Sequence, residues 1–147
     1  PLVTLQRIPN TQVWLLGREY LEAAEILFDY NRLWPAALLA ALALEIFLKS
    51  FLAARDHKGN SKTDRGHSLT ELFGRISAED QKDILNCSKE FDASVDFVSC
   101  LGKFDNTFFA ARYRYEAPAA RSVGSDIIYF ARHVCESIFL LGKRRGV

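Results

Sequence analysis

The chain has 147 residues, of which 49% are apolar and 25% charged, with a net charge of +1. That length and apolar content suit a single domain over residues 1–147 with a core of its own, and exclude a disordered tail or a disulfide-stapled mini-protein. The near-neutral balance excludes a protein that coats nucleic acid through bulk charge.

The chain opens on Pro1 and contains no Met. A Met ahead of Pro is readily removed, so the expectation is a nearly complete mature protein. No basic leader precedes the first apolar run at residues 13–16, so no signal peptide is expected. The first predicted helix runs from about Thr11 to Tyr30. Trp14, Gly17, Leu21, Ala24 and Phe28 recur at spacings of three and four, which marks one helical face. Residues 31–35 read as a turn, with Pro35 placed for the first position of a second helix, where its missing N–H costs nothing.

That second helix is predicted to run to about Arg55. Of the 19 residues from Ala36 to Ala54, 16 are apolar, close to the length of a membrane span. Seven of them are Ala, however, and Glu45 and Lys49 stand near the middle, each costing about 2.5–3.5 kcal/mol at a bilayer centre. The segment therefore reads as the central buried helix of a soluble bundle, with other helices packed around it.

Residues 56–66 form a polar loop without one apolar side chain. Ser68 and Glu71 then make a capping box that starts a third helix, with Leu69, Leu72 and Phe73 on its apolar side. Ser77 begins a second cap. Apolar residues follow at Ile84, Cys87, Phe91, Val95, Val98 and Leu101, which suits one long helix or two joined near Asp92. After Gly102 comes a short segment with Phe104 and Phe108, then Arg112-Tyr113-Arg114-Tyr115 and a loop containing Pro118. The last helix starts at Ser125, with Asp126 in its first turn and Lys143, Arg144 and Arg145 at its C-terminal end, where each charge suits the helix dipole. No segment alternates as a strand does. The prediction is an all-α fold: an up-and-down helical bundle of about five helices.

Cys87, Cys100 and Cys135 are odd in number and widely spaced, with no C-x-x-C and no His at metal-ligand spacing. They are expected to be reduced, mostly buried thiols, which fits a cytoplasmic protein. No metal and no cofactor are expected, and no phosphate-binding Gly-rich loop or hydrolase motif occurs.

Three groups carry chemical potential. Glu45 and Lys49 stand four apart, Glu first, the favourable order for an ion pair; they form either a partly buried tether or a polar patch at the floor of a groove. His67 precedes the cap of the third helix, where it could meet an anion or pack as a hydrophobic staple. Arg112, Tyr113, Arg114 and Tyr115 interleave cations with rings. That suits phosphate contact with base stacking, and equally suits a protein interface or a core with local salt bridges. The region 101–147 holds 8 basic and 4 acidic residues, so this string and the last helix form the one basic stretch.

The order of these pieces resembles a HEPN domain, the helical family named for nucleotide binding in higher eukaryotes and prokaryotes. The matching blocks are the Ala-rich helix of residues 40–49 with Glu45 and Lys49, the Gly66-His67-Ser68-Leu69 block through Phe73, and Arg112–Tyr115 before the last helix. The resemblance implies a bundle that often dimerises and has an RNA- or nucleotide-linked role, frequently in toxin–antitoxin or defence systems beside a nucleotidyltransferase-type partner protein. Its ribonuclease members carry an Arg, four to six residues, then His. Here residues 50–52, 60–62 and 126–128, which stand five to seven before His57, His67 and His133, include no Arg.

The expected function is thus a non-catalytic HEPN-like module that binds a nucleotide, RNA or a partner protein. Lys49, His67, Arg112 and Arg114 are the phosphate candidates, and Tyr113 and Tyr115 the stacking ones. The alternatives are a degenerate metal-independent ribonuclease using His67 or His133, and a structural homodimer subunit that uses its Trp and Phe side chains for contact.

Overall fold

The computed structural model describes residues 9–55, 61–62, 68–108 and 124–146. The predicted apolar phases appear there as α1 (Thr11–Asp29), α2 (Leu33–Lys49), α3 (Leu69–Arg75), α4 (Ala78–Phe91), α5 (Phe97–Lys103) and α6 (Asp126–Arg144). Among the described residues the only elements besides helices are β1 (Ala54–Arg55) and β2 (Ser61–Lys62), a two-residue antiparallel pairing that sequence alternation does not reveal. Two residues a side are too few to show a period of two.

Helix α2 sits at the centre. Ala36, Ala37, Ala40, Ala43, Leu44, Phe47 and Leu48 are all fully buried, so its surface is covered on several sides. Helices α1, α3 and α6 pack on it, α6 also packs on α4 and α1, and α3 packs on α5. Gly17 lets α1 approach α2 closely: a Cβ there would stand 2.7 Å from Cε1 of Phe47. No described helix is long and apolar enough to cross a membrane.

The turn from α1 to α2 follows from one residue. Asn31 has φ 61°, the left-handed region that Asn tolerates better than most residues. The N–H of Asn31 donates to the Phe28 carbonyl (3.0 Å) and that of Arg32 to the Leu27 carbonyl (2.8 Å), closing α1 with a Schellman pair. Pro35 then occupies the third helical position rather than the predicted first, still inside the turn whose N–H groups have no helical partner.

Of three other boundaries, one differs from expectation, one takes the second of the two forms the sequence allows, and one is capped differently. Helix α2 ends at Lys49, not near Arg55. The Ser50 carbonyl is taken by the N–H of Asn10 at 2.8 Å, and the Ser50 hydroxyl donates to the Phe47 carbonyl at 2.6 Å, so the ladder stops there. The stretch after Ser77 is two helices. Asp92 accepts from both the N–H (3.0 Å) and the hydroxyl (2.6 Å) of Ser94, an arrangement that competes with helix, and Asp96 caps α5 by accepting from the Ser99 N–H. The new phase buries Phe97 and leaves Val98 exposed, contrary to the predicted stripe. Ser125 stands at the N-cap of α6 without a side-chain cap bond; Asp126 accepts from the Ile127 N–H instead.

The end of α6 does more than match a dipole. Arg144 pairs with Glu90, and Arg145 reaches Asp80 (2.8 Å) and Asp83 (2.6 Å), so two successive guanidiniums fasten α6 to α4. An aromatic series runs from Phe73 through Phe97 to Phe130, with Phe104 also against Phe130, and joins α3, α5 and α6 (centroids 5.4, 5.6 and 5.8 Å).

Candidate functional site

Helix α2 holds the first candidate pair where its phase predicts. Nζ of Lys49 donates to Oε1 of Glu45 at 2.7 Å. Glu45 is only 3% exposed, and the side chain of Lys49 is 15% exposed. The pair is therefore partly shielded from solvent screening, and much of the Lys49 charge is spent on Glu45.

At α3, Ser68 caps as predicted, accepting from the Glu71 N–H at 3.2 Å. Its hydroxyl also donates to the carboxylate of Asp105 (3.0 and 3.2 Å), which in turn accepts from the Thr70 N–H at 3.2 Å. A carboxylate from the far side of residues 69–104 thus already holds the amide and hydroxyl that open this helix. Nothing in the local pattern around Ser68 marks Asp105, a partner 37 residues away. His67, Arg112, Tyr113, Arg114 and Tyr115 lie outside the described residues. The Ser68–Asp105 contact nevertheless ties the position next to His67 to a position seven residues ahead of Arg112 along the chain.

His133 is described, and it is buried in α6 at 4% exposure. Its Nε2 lies 2.7 Å from the hydroxyl of Ser88 on α4, and its ring faces Phe91 and Phe130. Burial lowers its pKa below the ordinary 6.5, against the opposing field of the Asp92 carboxylate. Its phase beside Phe130, Ala131 and Val134 carries the signal for burial; its partner Ser88 lies 45 residues away and carries none. The neighbouring Arg132 is bound to Glu25 of α1 and to Glu136 (3.2 Å), which raises its pKa further. Arg132 and His133 therefore form no exposed acid–base pair.

The lowered His133 pKa sets a pH dependence. The folded state holds the neutral ring, whereas the unfolded chain takes up a proton below about pH 6.5. The stability from this group is complete above that value and is lost as pH falls through the folded pKa. The melting temperature is expected to drop more between pH 7.5 and 5 in the wild type than in His133→Asn, which cannot titrate there. Parallel curves for the two proteins would show that His133 does not govern this range.

The cysteines are free thiols, Cys87 and Cys135 buried and Cys100 partly so. Burial pushes the Cys135 thiol up to about 12 and raises Cys87 and Cys100 as well, which leaves them poor nucleophiles at neutral pH. Among the described residues no group of three His, Cys, Asp or Glu is placed to hold a metal ion.

The arrangement offers a buried ion pair on the central helix, a clasp beside the start of α3, and a histidine withdrawn from solvent. Compared with known proteins, the chain matches the family model described as HEPN domain over residues 12–141. No curated protein and no solved structure matches it.

Proposed function

The chain belongs to the HEPN domain family, and on that premise we propose that it is a non-catalytic module that binds RNA or a nucleotide through its phosphates. The burial of His133 carries the reading. The histidine on α6 is committed to Ser88 and two phenyl rings, and Arg132 beside it is committed to Glu25 and Glu136. Neither is free to assist attack by a 2′-hydroxyl. The missing Arg at the ribonuclease spacing before His57, His67 and His133 supports the same conclusion.

For binding, the proposed contacts are Arg112-Tyr113-Arg114-Tyr115 and His67. Their support is the chemistry of alternating cations and rings, and the Asp105 clasp that ties the flanks of these two blocks to each other. Lys49, neutralised in large part by Glu45, serves as a secondary contact. The partners proposed are a second copy of the chain and a nucleotidyltransferase-type protein, in a toxin–antitoxin or defence setting.

The test is a filter-retention and cleavage assay with a short single-stranded RNA in EDTA. Retention without cleavage is expected, weakening as salt rises. Arg112→Ala with Arg114→Ala is expected to weaken binding roughly tenfold at unchanged melting temperature. It should also flatten the salt dependence by about 1.4 log–log units, the value for two lost phosphate contacts on a single strand. Equal binding and equal slope in the two proteins would remove these contacts from the proposal. EDTA-resistant cleavage that vanishes in His67→Ala would replace it with a metal-independent ribonuclease.

A further inference from the structure

Between the start of α1 and the end of α6 runs a groove lined by Pro9, Thr11, Trp14, Ile138, Phe139 and Gly142, with Lys143 at its edge. Its floor is ring and hydrocarbon. Trp14 and Phe139 stack at 5.7 Å with planes 28° apart, and Phe139 remains 45% exposed. Leu15, next to Trp14 on α1, is exposed as well. Nζ of Lys143, at the groove's edge, stands 5.3 Å from the Phe139 ring centre, and the Arg18 guanidinium, outside the groove's lining, stands 5.2 Å from the ring centre of Trp14. Lys143 has no acidic partner among the described residues. Among the described residues the acidic partner of Arg18 is the solvent-screened Glu22 at 3.6 Å.

We propose that this groove binds a small amphipathic carboxylate, an acid carrying one ring system or a short acyl chain. The complement of an apolar floor with the Lys143 cation at its edge is an apolar body with an anionic head. A neutral hydrocarbon would leave Lys143 unused. A free phosphate would leave the floor unused. A nucleobase would need edge hydrogen bonds that a hydrocarbon wall lacks. The site lies on helices α1 and α6 and does not depend on the RNA contacts proposed above.

Titration of the full chain with naphthalene-1-carboxylate, read by calorimetry and tryptophan fluorescence, tests the assignment. Saturable one-to-one binding is expected. The uncharged 1-naphthalenemethanol should bind at least roughly tenfold more weakly, and Lys143→Glu and Phe139→Ala should each raise Kd by at least roughly tenfold. Both side chains are exposed, so both variants should melt within a few degrees of the wild type. Equal affinity for acid and alcohol overturns the proposal, as does the absence of saturation. Uptake that appears only in Leu2→Glu with Leu5→Glu also overturns it, since the chain's own first residues would then fill the groove. So does a dimer by light scattering that Phe139→Ala dissociates, because a second copy would then cover it.

Discussion

Arg145→Ala is expected to lower the melting temperature by about 10 °C. Arg145 is largely buried, and its guanidinium divides between Asp80 at 2.8 Å and Asp83 at 2.6 Å. The two contacts differ in weight. The Asp83 side chain is 39% exposed, so water screens much of its attraction. Asp80 is 3% exposed, and removing a guanidinium from a buried carboxylate costs about 3 kcal/mol at the least. For a chain of this size that is roughly 3 °C per kcal/mol. The loss falls where α4 meets α6, beside the Arg144–Glu90 pair that fastens the same two helices. Adding Asp80→Asn to Arg145→Ala should recover part of the loss, because the buried charge goes with its partner. A drop under 3 °C for Arg145→Ala alone would mean that the pair contributes no more than a surface bridge.

Gly17 is the second sensitive point. Alanine in mid-helix is normally favoured over glycine by about 1 kcal/mol. Here the added Cβ would stand 2.7 and 2.8 Å from the Phe47 ring and 3.2 Å from Cγ2 of Ile46. Phe47 is fully buried, so the ring has no space to swing into. Overpacking of this kind costs about 1–3 kcal/mol, and the helix gain offsets only part of it. Gly17→Ala is expected to be less stable than wild type by about 1 kcal/mol in urea melts, and Gly17→Val by more, since two further methyls enter the same contact. Phe47→Leu, which removes the ring edge, should make Gly17→Ala harmless or favourable in that background. A Gly17→Ala protein more stable than wild type would show that α1 can slide away from α2 at little cost.

Why the helices were legible and some of their ends were not follows from where each interaction lies in the chain. The phase of Trp14, Gly17, Leu21 and Ala24 is written within one helix, and all four are buried. The end of α2 depends on Asn10 donating to the Ser50 carbonyl, a partner 40 residues away that no local pattern contains. The Asp105 clasp on Ser68 and the Ser88 partner of His133 were hidden for the same reason. The ion pair of Glu45 with Lys49 was readable because helical spacing alone brings the two together. The polar candidates His67 and Arg112–Tyr115 lie outside the described residues, so their reading still rests on residue chemistry and on the family blocks they resemble.

The groove between α1 and α6 has a topological side. Pro9 and Thr11 stand just before and at the start of the first helix, Gly142 and Lys143 in the last turn of the final one, and all four line the same cleft. The indole N–H of Trp14 faces the Cys135 carbonyl at 3.4 Å, and Glu25 meets Arg132, so the first and last helices run side by side in opposite directions. The polypeptide therefore enters and leaves the described bundle at one pole. Such a body can be threaded into a surface loop of another protein, or carry a neighbour at either end, without its helices being rearranged. Two neighbours joined one to each end would be held close to each other on that side of the bundle, and their linkers could be short.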